Sequence, residues 1–168
     1  MDLTQSKAAA RIKVIRLGVL DVDFNIDVEH HVPSLTGVAV VRDELNDRTY
    51  PSTLKGKATF EATAHYLYEP MLQPQLQAYA EKEGCMLGMP KGLLRLATKV
   101  DRQLLSQAFP LLAPGDCSPN RTGAIHAMCM YNDADNSTIR DVWIRKHEPW
   151  NIGLRVLLLK RRARFRVI

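Results

Sequence analysis

Apolar and polar residues alternate without a break through residues 20–29. Leu20, Val22, Phe24, Ile26 and Val28 take turns with Asp21, Asp23, Asn25, Asp27 and Glu29. A period of two sets every apolar side chain on one face, so the spacing predicts a half-buried strand with an acidic, solvated outer face. The outer aspartates of such a strand stand about 7 Å apart and point into water, which makes a cation site the minor alternative. Residues 11–17 predict a preceding strand, with Gly18 as the bend between the two. His30, His31 and Pro33 end the acidic strand. Adjacent strand residues face opposite ways, so the two histidines are expected at a solvated strand end and not as a ligand pair.

Downstream, residues 38–41 predict a short strand and residues 43–52 a polar loop. In residues 57–68, Phe60, Ala62, Ala64, Tyr66 and Tyr68 share one strand face. Thr59, Glu61, Thr63 and His65 take the other, which places His65 in solvent. After Pro70 the period becomes helical, with Leu72, Leu76, Tyr79 and Ala80 on one side, Pro74 in the first turn and Gly84 just past the end. The apolar loop 85–92 (CMLGMPKG) leads into a second predicted helix, residues 91 to about 109. Its apolar Leu93, Ala97, Val100, Leu104 and Ala108 fall opposite Lys91, Arg95, Lys99 and Arg102, a cationic stripe. Residues 110–120 predict a proline-rich loop, and residues 124–131 and 138–147 two strands. The acidic turn between them, residues 132–137, lacks the glycine and distal glutamate of an EF-hand. Residues 154–168 predict a hairpin turning near Lys160 and Arg161, with Arg162, Arg164 and Arg166 on one face of its last strand. No repeat or linker divides the chain. The expected architecture is α+β: a single domain over residues 1–168, an antiparallel β-sheet packed with two α-helices, residues 1–10 flexible.

Composition narrows the function classes. The chain has 168 residues, 46% hydrophobic and 24% charged, which are globular values. No apolar run approaches the ~18 residues of a membrane-spanning helix, and residues 1–10 lack the apolar core of a signal peptide. Cys85, Cys117 and Cys129 include no CxxC pair, which argues for a reducing compartment. The net charge is +5 and unevenly spread: residues 20–69 hold four basic and nine acidic groups, residues 140–168 nine basic and two acidic. Such polarity implies a cationic face for nucleic acid or an anionic membrane, the alternative being a basic surface that meets only water. No GxSxG, P-loop, dinucleotide fingerprint or HExxH occurs. His126 and Cys129 are three apart on a strand and therefore face opposite ways. No enzyme, metal or cofactor is expected.

Three stretches, in this order, resemble the globular domain of rhabdovirus matrix proteins, the vesiculovirus branch in particular: LGMPKGLLRLATKV at 87–100, IHAMC at 125–129 and HEPWNIGL at 147–154. The long basic tail that precedes this domain in the family is replaced by strand-like sequence, and no PPxY or P-T-A-P motif occurs. The short length suits the plant-infecting cytorhabdoviruses. The resemblance implies a viral structural protein that self-associates into a higher-order oligomer. It would bridge the nucleocapsid, or its RNA, to the inner face of an anionic membrane during virion assembly, with the virion and host cytoplasm as its locations. On that basis Lys91, Arg95, Lys99, Arg102, Lys160, Arg161, Arg162, Arg164 and Arg166 are the candidate nucleic-acid or membrane contacts. Met86, Leu87, Met89 and Pro90 are the candidate self-association plug. The alternative is a viral accessory protein that binds nucleic acid without sequence preference, of the movement or silencing-suppressor type.

Overall fold

The structure, a computed structural model, describes residues 14–31, 38–40, 47, 49–116, 121–133 and 136–163. Among the described residues, eight strands form one sheet: β1 (Val14–Asp23), β2 (Val38–Val40), β3 (Lys57–Tyr66), β4 (Met86–Leu87), β5 (Leu111–Ala113), β6 (Ala124–Asp133), β7 (Asn136–Arg145) and β8 (Arg155–Arg161). The helices are α1 (Val28–His31), α2 (Gln73–Lys82), α3 (Pro90–Lys99) and α4 (Arg102–Ser106). Helix and strand are mixed as expected, but the sheet dominates, and four helices rather than two occur among the described residues.

The strand order is β1-β3-β8-β5-β6-β7-β2. Pairing is antiparallel except between β5 and β8 and between β2 and β7, which are parallel. Along one edge β8 pairs with β3 over its whole length; along the other it meets β5 and then β4. Leu157 and Leu159 of β8 pack with Leu93, Leu94 and Leu96 of α3 on one face of the sheet. Val156 and Leu158 pack with Leu76 and Ala80 of α2 on the other. A strand covered on both faces reads as an unbroken apolar run, which is why Val156–Leu159 shows no alternation.

Several expectations are corrected. β1 does not turn at Gly18 but bulges there: Arg16 faces Thr63 and Gly18 faces Ala62, so Leu17 is the extra residue, and Gly18 takes φ +108°. The strand then stops at Asp23, midway through the alternating run. The Asp23 Oδ1 accepts the Asn25 N–H at 3.0 Å, the Ile26 N–H returns to the Asp23 carbonyl at 3.3 Å, and α1 follows. An aspartate able to bond the backbone two residues on offers a turn that competes with the strand. Leu20, Val22, Phe24 and Val28 are nonetheless all buried. The histidines accordingly lie on a helix, and His31 is buried.

The second predicted helix is two. Val100 is extended at ψ 139°, and the Asp101 carboxylate accepts the Gln103 and Leu104 N–H groups at 2.9 and 3.2 Å, capping α4. The expected loop 110–120 contains the fully buried β5, its residues 117–120 lying outside the described part. Lys160 and Arg161 continue β8 in register with Glu61 and Phe60 and make no hairpin turn. Expectations for residues 1–13 and 164–168, including the flexible start, Arg164 and Arg166, fall outside the described residues. The expected strands at 38–41, 57–68, 124–131 and 138–147 are met by β2, β3, β6 and β7, and α2 matches closely among the helices, with Pro74 in its first turn and Gly84 at φ +69° beyond its end.

Candidate anion-binding surface

The break at Val100 and Asp101 divides the cationic stripe. Lys91 is 4% exposed; its ammonium donates to the Phe24 carbonyl at 2.9 Å and lies 3.9 Å from the Asp47 carboxylate. That corrects its assignment as a surface contact: it ties α3 to the turn after β1. One helical turn on, the half-buried Arg95 donates through Nε to the Asp21 carbonyl at 3.1 Å. Lys99 is exposed at the end of α3, and Arg102 is exposed on the separate α4. These four cations form no single stripe.

Lys160, Arg161 and Arg162 are consecutive and exposed where β8 ends. Because β8 lies beside β3, Lys160 stands directly opposite Glu61, and Arg162 pairs with the same Glu61 at 3.4 Å. The charge polarity along the chain is thus partly cancelled in space, since the acidic strands and the basic one are neighbours. An exposed pair of this kind is worth about 0–1 kcal/mol, so Arg162 can exchange Glu61 for another anion. Arg161 sits level with Phe60, and Phe60 with Leu20. Arg95, bonded to Asp21, therefore lies at the same end of the sheet.

The apolar loop is not an exposed plug. Met86 and Leu87 form β4 against Leu159 and Leu158, and Leu87, Gly88, Met89 and Pro90 are all buried. The Gly88 N–H donates to the Leu157 carbonyl at 2.6 Å, and the Gly115 N–H to the Gly88 carbonyl at 2.8 Å. A Cβ on Gly88 would stand 2.4 Å from the Leu157 side chain, and one on Gly115 2.5 Å from the Leu87 carbonyl oxygen. Only glycine permits this approach. Solvent reaches the loop through a groove of about 220 Å³, floored by Met86, Leu87 and Met89 with Thr53 and Asp116 at its rim.

Three features escaped sequence reasoning. His65, expected in solvent, is 6% exposed because α2 covers that face; its Nδ1 is hydrogen-bonded to the Tyr79 hydroxyl at 2.8 Å and its Nε2 to the Thr63 hydroxyl at 3.0 Å. The His126 Nδ1–H donates to the Asp141 carboxylate at 2.8 Å, and the Tyr50 hydroxyl donates to the other oxygen of that carboxylate. This cluster joins β6, β7 and the segment before β3. Trp143 is 58% exposed on β7, which also carries the exposed Arg140 and Arg145. Arg145, two residues on, shares the Trp143 face, whereas Arg140 takes the other, and the spacing WIR in TIRDVWIRKH was the visible signal. Cys129 faces away from His126 as expected, and burial pushes its thiol up to about 12.

Burial holds the His65 and His31 imidazoles below their ordinary range. Nearby Glu83 acts against this at His65 and the Asp23 backbone against it at His31, where Lys91 and Arg95 reinforce it. A depressed histidine binds its proton more readily in the unfolded chain, so stability is full above the unfolded value of 6.5 and falls as pH drops below it. The melting temperature is therefore expected to fall between pH 7.5 and pH 5, and His65→Gln to flatten that slope. A melting temperature that rises on acidification would show that the imidazoles are charged in the fold.

Among the described residues no three histidine, cysteine, aspartate or glutamate side chains group to hold a metal, and no helix is long and apolar enough to cross a membrane. Comparison with protein-family models, curated proteins and solved structures finds no match.

Proposed function

We propose that this chain is a non-enzymatic structural protein of the viral matrix kind. It binds polyanions, the RNA of a nucleocapsid and the inner face of an anionic membrane, through a basic surface, and assembles with copies of itself in the virion and host cytoplasm. The observation that carries this proposal is the exposed run Lys160–Arg162 at the end of β8, which the sequence continues with Arg164 and Arg166. With Leu87–Pro90 buried, we assign the self-contact to the exposed apolar side chains Trp143 and Ile152.

The test is binding to RNA and to anionic vesicles across a salt series. Each cation that contacts phosphate contributes about 0.7–0.9 to the slope of log K against log salt. Changing Lys160, Arg161 and Arg162 together to Ala is expected to lower that slope by about two units, with Arg162 contributing least because it gives up Glu61. Unaltered binding to both partners would sink the proposal. Sedimentation over a concentration series separates it from a sequence-independent nucleic-acid-binding accessory protein, for which RNA binding persists without higher-order assembly.

A further inference from the structure

A cavity of about 400 Å³ opens between the end of β1, the turn beyond it, α1 and α3. Its size falls among small-ligand sites, which run from about 300 to 1,000 Å³. The exposed Ile26 gives it an apolar side chain, and Arg95 is among its lining residues. The Arg95 guanidinium is fixed by the bond from Nε to the Asp21 carbonyl. Among the described residues it makes no ion pair, and its two terminal nitrogens carry no hydrogen bond.

The acids that line it, Asp21 and Asp23, each have a partner of their own. Asp21 alternates with the buried Leu20 and Val22, so its carboxylate lies on the other face of the sheet, where it accepts the Thr59 hydroxyl at 2.6 Å. The Asp23 carboxylate accepts the Asn25 N–H and sits 3.7 Å from the Lys57 ammonium. His30 stands 3.7 Å from Asp27, and Lys91 is spent on Phe24 and Asp47. Arg95 is thus a half-buried cation, tied to β1 through Nε, which lines the cavity beside the exposed Ile26. Such a fork matches the two oxygens of an oxyanion, and fixing it beforehand lowers the cost of binding.

We infer that this cavity is a site for a small organic anion, a phosphate or carboxylate group on an apolar or planar body. The oxyanion sits in the Arg95 fork and the body lies on Ile26. The site is separate from Lys160–Arg162 and stands whether or not the matrix-type function holds. A lipid headgroup and a nucleotide both carry this chemistry.

The full chain, isotopically labelled, is titrated by NMR with inorganic phosphate, adenosine monophosphate and a short-chain phosphatidic acid below its micelle concentration. One of the two organic phosphates is expected to bind with Kd below about 1 mM, and at least about tenfold more tightly than inorganic phosphate; which one does so names the source. Arg95→Gln should weaken it by about tenfold or more, whereas Lys99→Gln and the triple Lys160, Arg161, Arg162 variant should not. Because Arg95→Gln also removes the bond to Asp21, Arg95→Lys is the second variant: it keeps a cation within reach of that carbonyl but loses the fork, and should weaken binding without loss of the fold. Equal binding of all three probes, or binding indifferent to both Arg95 variants, overturns the inference. Loss in the triple variant moves the anion to the end of β8 and overturns it as well.

Discussion

Replacing Leu87 and Met89 together by Ser is expected to unfold the chain. Both side chains are buried, Leu87 on the α2 side of the sheet and Met89 on the α3 side, so each substitution damages a different half of the core. Truncating a buried leucine or methionine costs about 2–5 kcal/mol, and an unpaired buried hydroxyl adds about 1–3. Two such losses match the whole stability of an ordinary domain, about 5–15 kcal/mol. Circular dichroism melting and NMR peak dispersion would report it. A double variant that keeps its melting temperature but no longer assembles would return these residues to the surface.

Lys91→Ala carries the second-largest expected effect, and it lies in stability, not binding. The change removes a charged donor from the buried Phe24 carbonyl and the packing of the lysine stem. A hydrogen bond from a charged group is worth about 1.5–3 kcal/mol, and the lost packing brings the total to roughly 2–4 kcal/mol. The Asp47 partner adds little, because its side chain is 37% exposed and solvent screens it. Lys91→Met should restore the stem and recover part of the loss. The salt slope of RNA binding should stay unchanged in both, whereas Lys99→Ala should leave the melting temperature unchanged. A Lys91→Ala variant with unaltered melting and a reduced salt slope would reverse these assignments.

What the sequence disclosed was mostly burial, and what it concealed was mostly backbone. The alternation of residues 20–29 marked Leu20, Val22, Phe24, Ile26 and Val28 as core; four are buried, and Ile26, in the turn after β1, is exposed. It could not register that the Asp23 carboxylate would bond Asn25 and turn the chain. Asp101 was a legible helix cap, overlooked because the apolar spacing runs through it. β5 and β8 had no period to detect, being covered on both faces. The candidate cations divided for a related reason: a lysine on the polar side of a helical projection reaches solvent only if nothing crosses that side, and the turn after β1 crosses at Lys91. The stretches on which the expected resemblance to matrix proteins rests fall largely on packed positions, among them Leu87, Gly88, Met89, Leu93, Ile125, Ala127, Cys129 and Trp150. That resemblance speaks first of scaffold, and the binding surfaces need their own tests.

The placement of β8 sets a schedule for synthesis. This strand is the last of the eight described strands to leave the ribosome, yet it lies between β3 and β5 and carries the side chains that join both halves of the core. β1 and β3 can pair early, but the second edge of β3 then waits. The stretch between Tyr66 and Arg155 takes roughly 5–18 s to make at about 5–20 residues per second. During that interval the nascent chain shows an open strand edge beside uncovered Phe60, Ala62 and Ala64, a template for pairing with any neighbouring chain. A protein made in bulk on crowded polysomes would therefore depend on chaperone cover until residue 161 emerges, and a message cut short before residue 155 would yield aggregate.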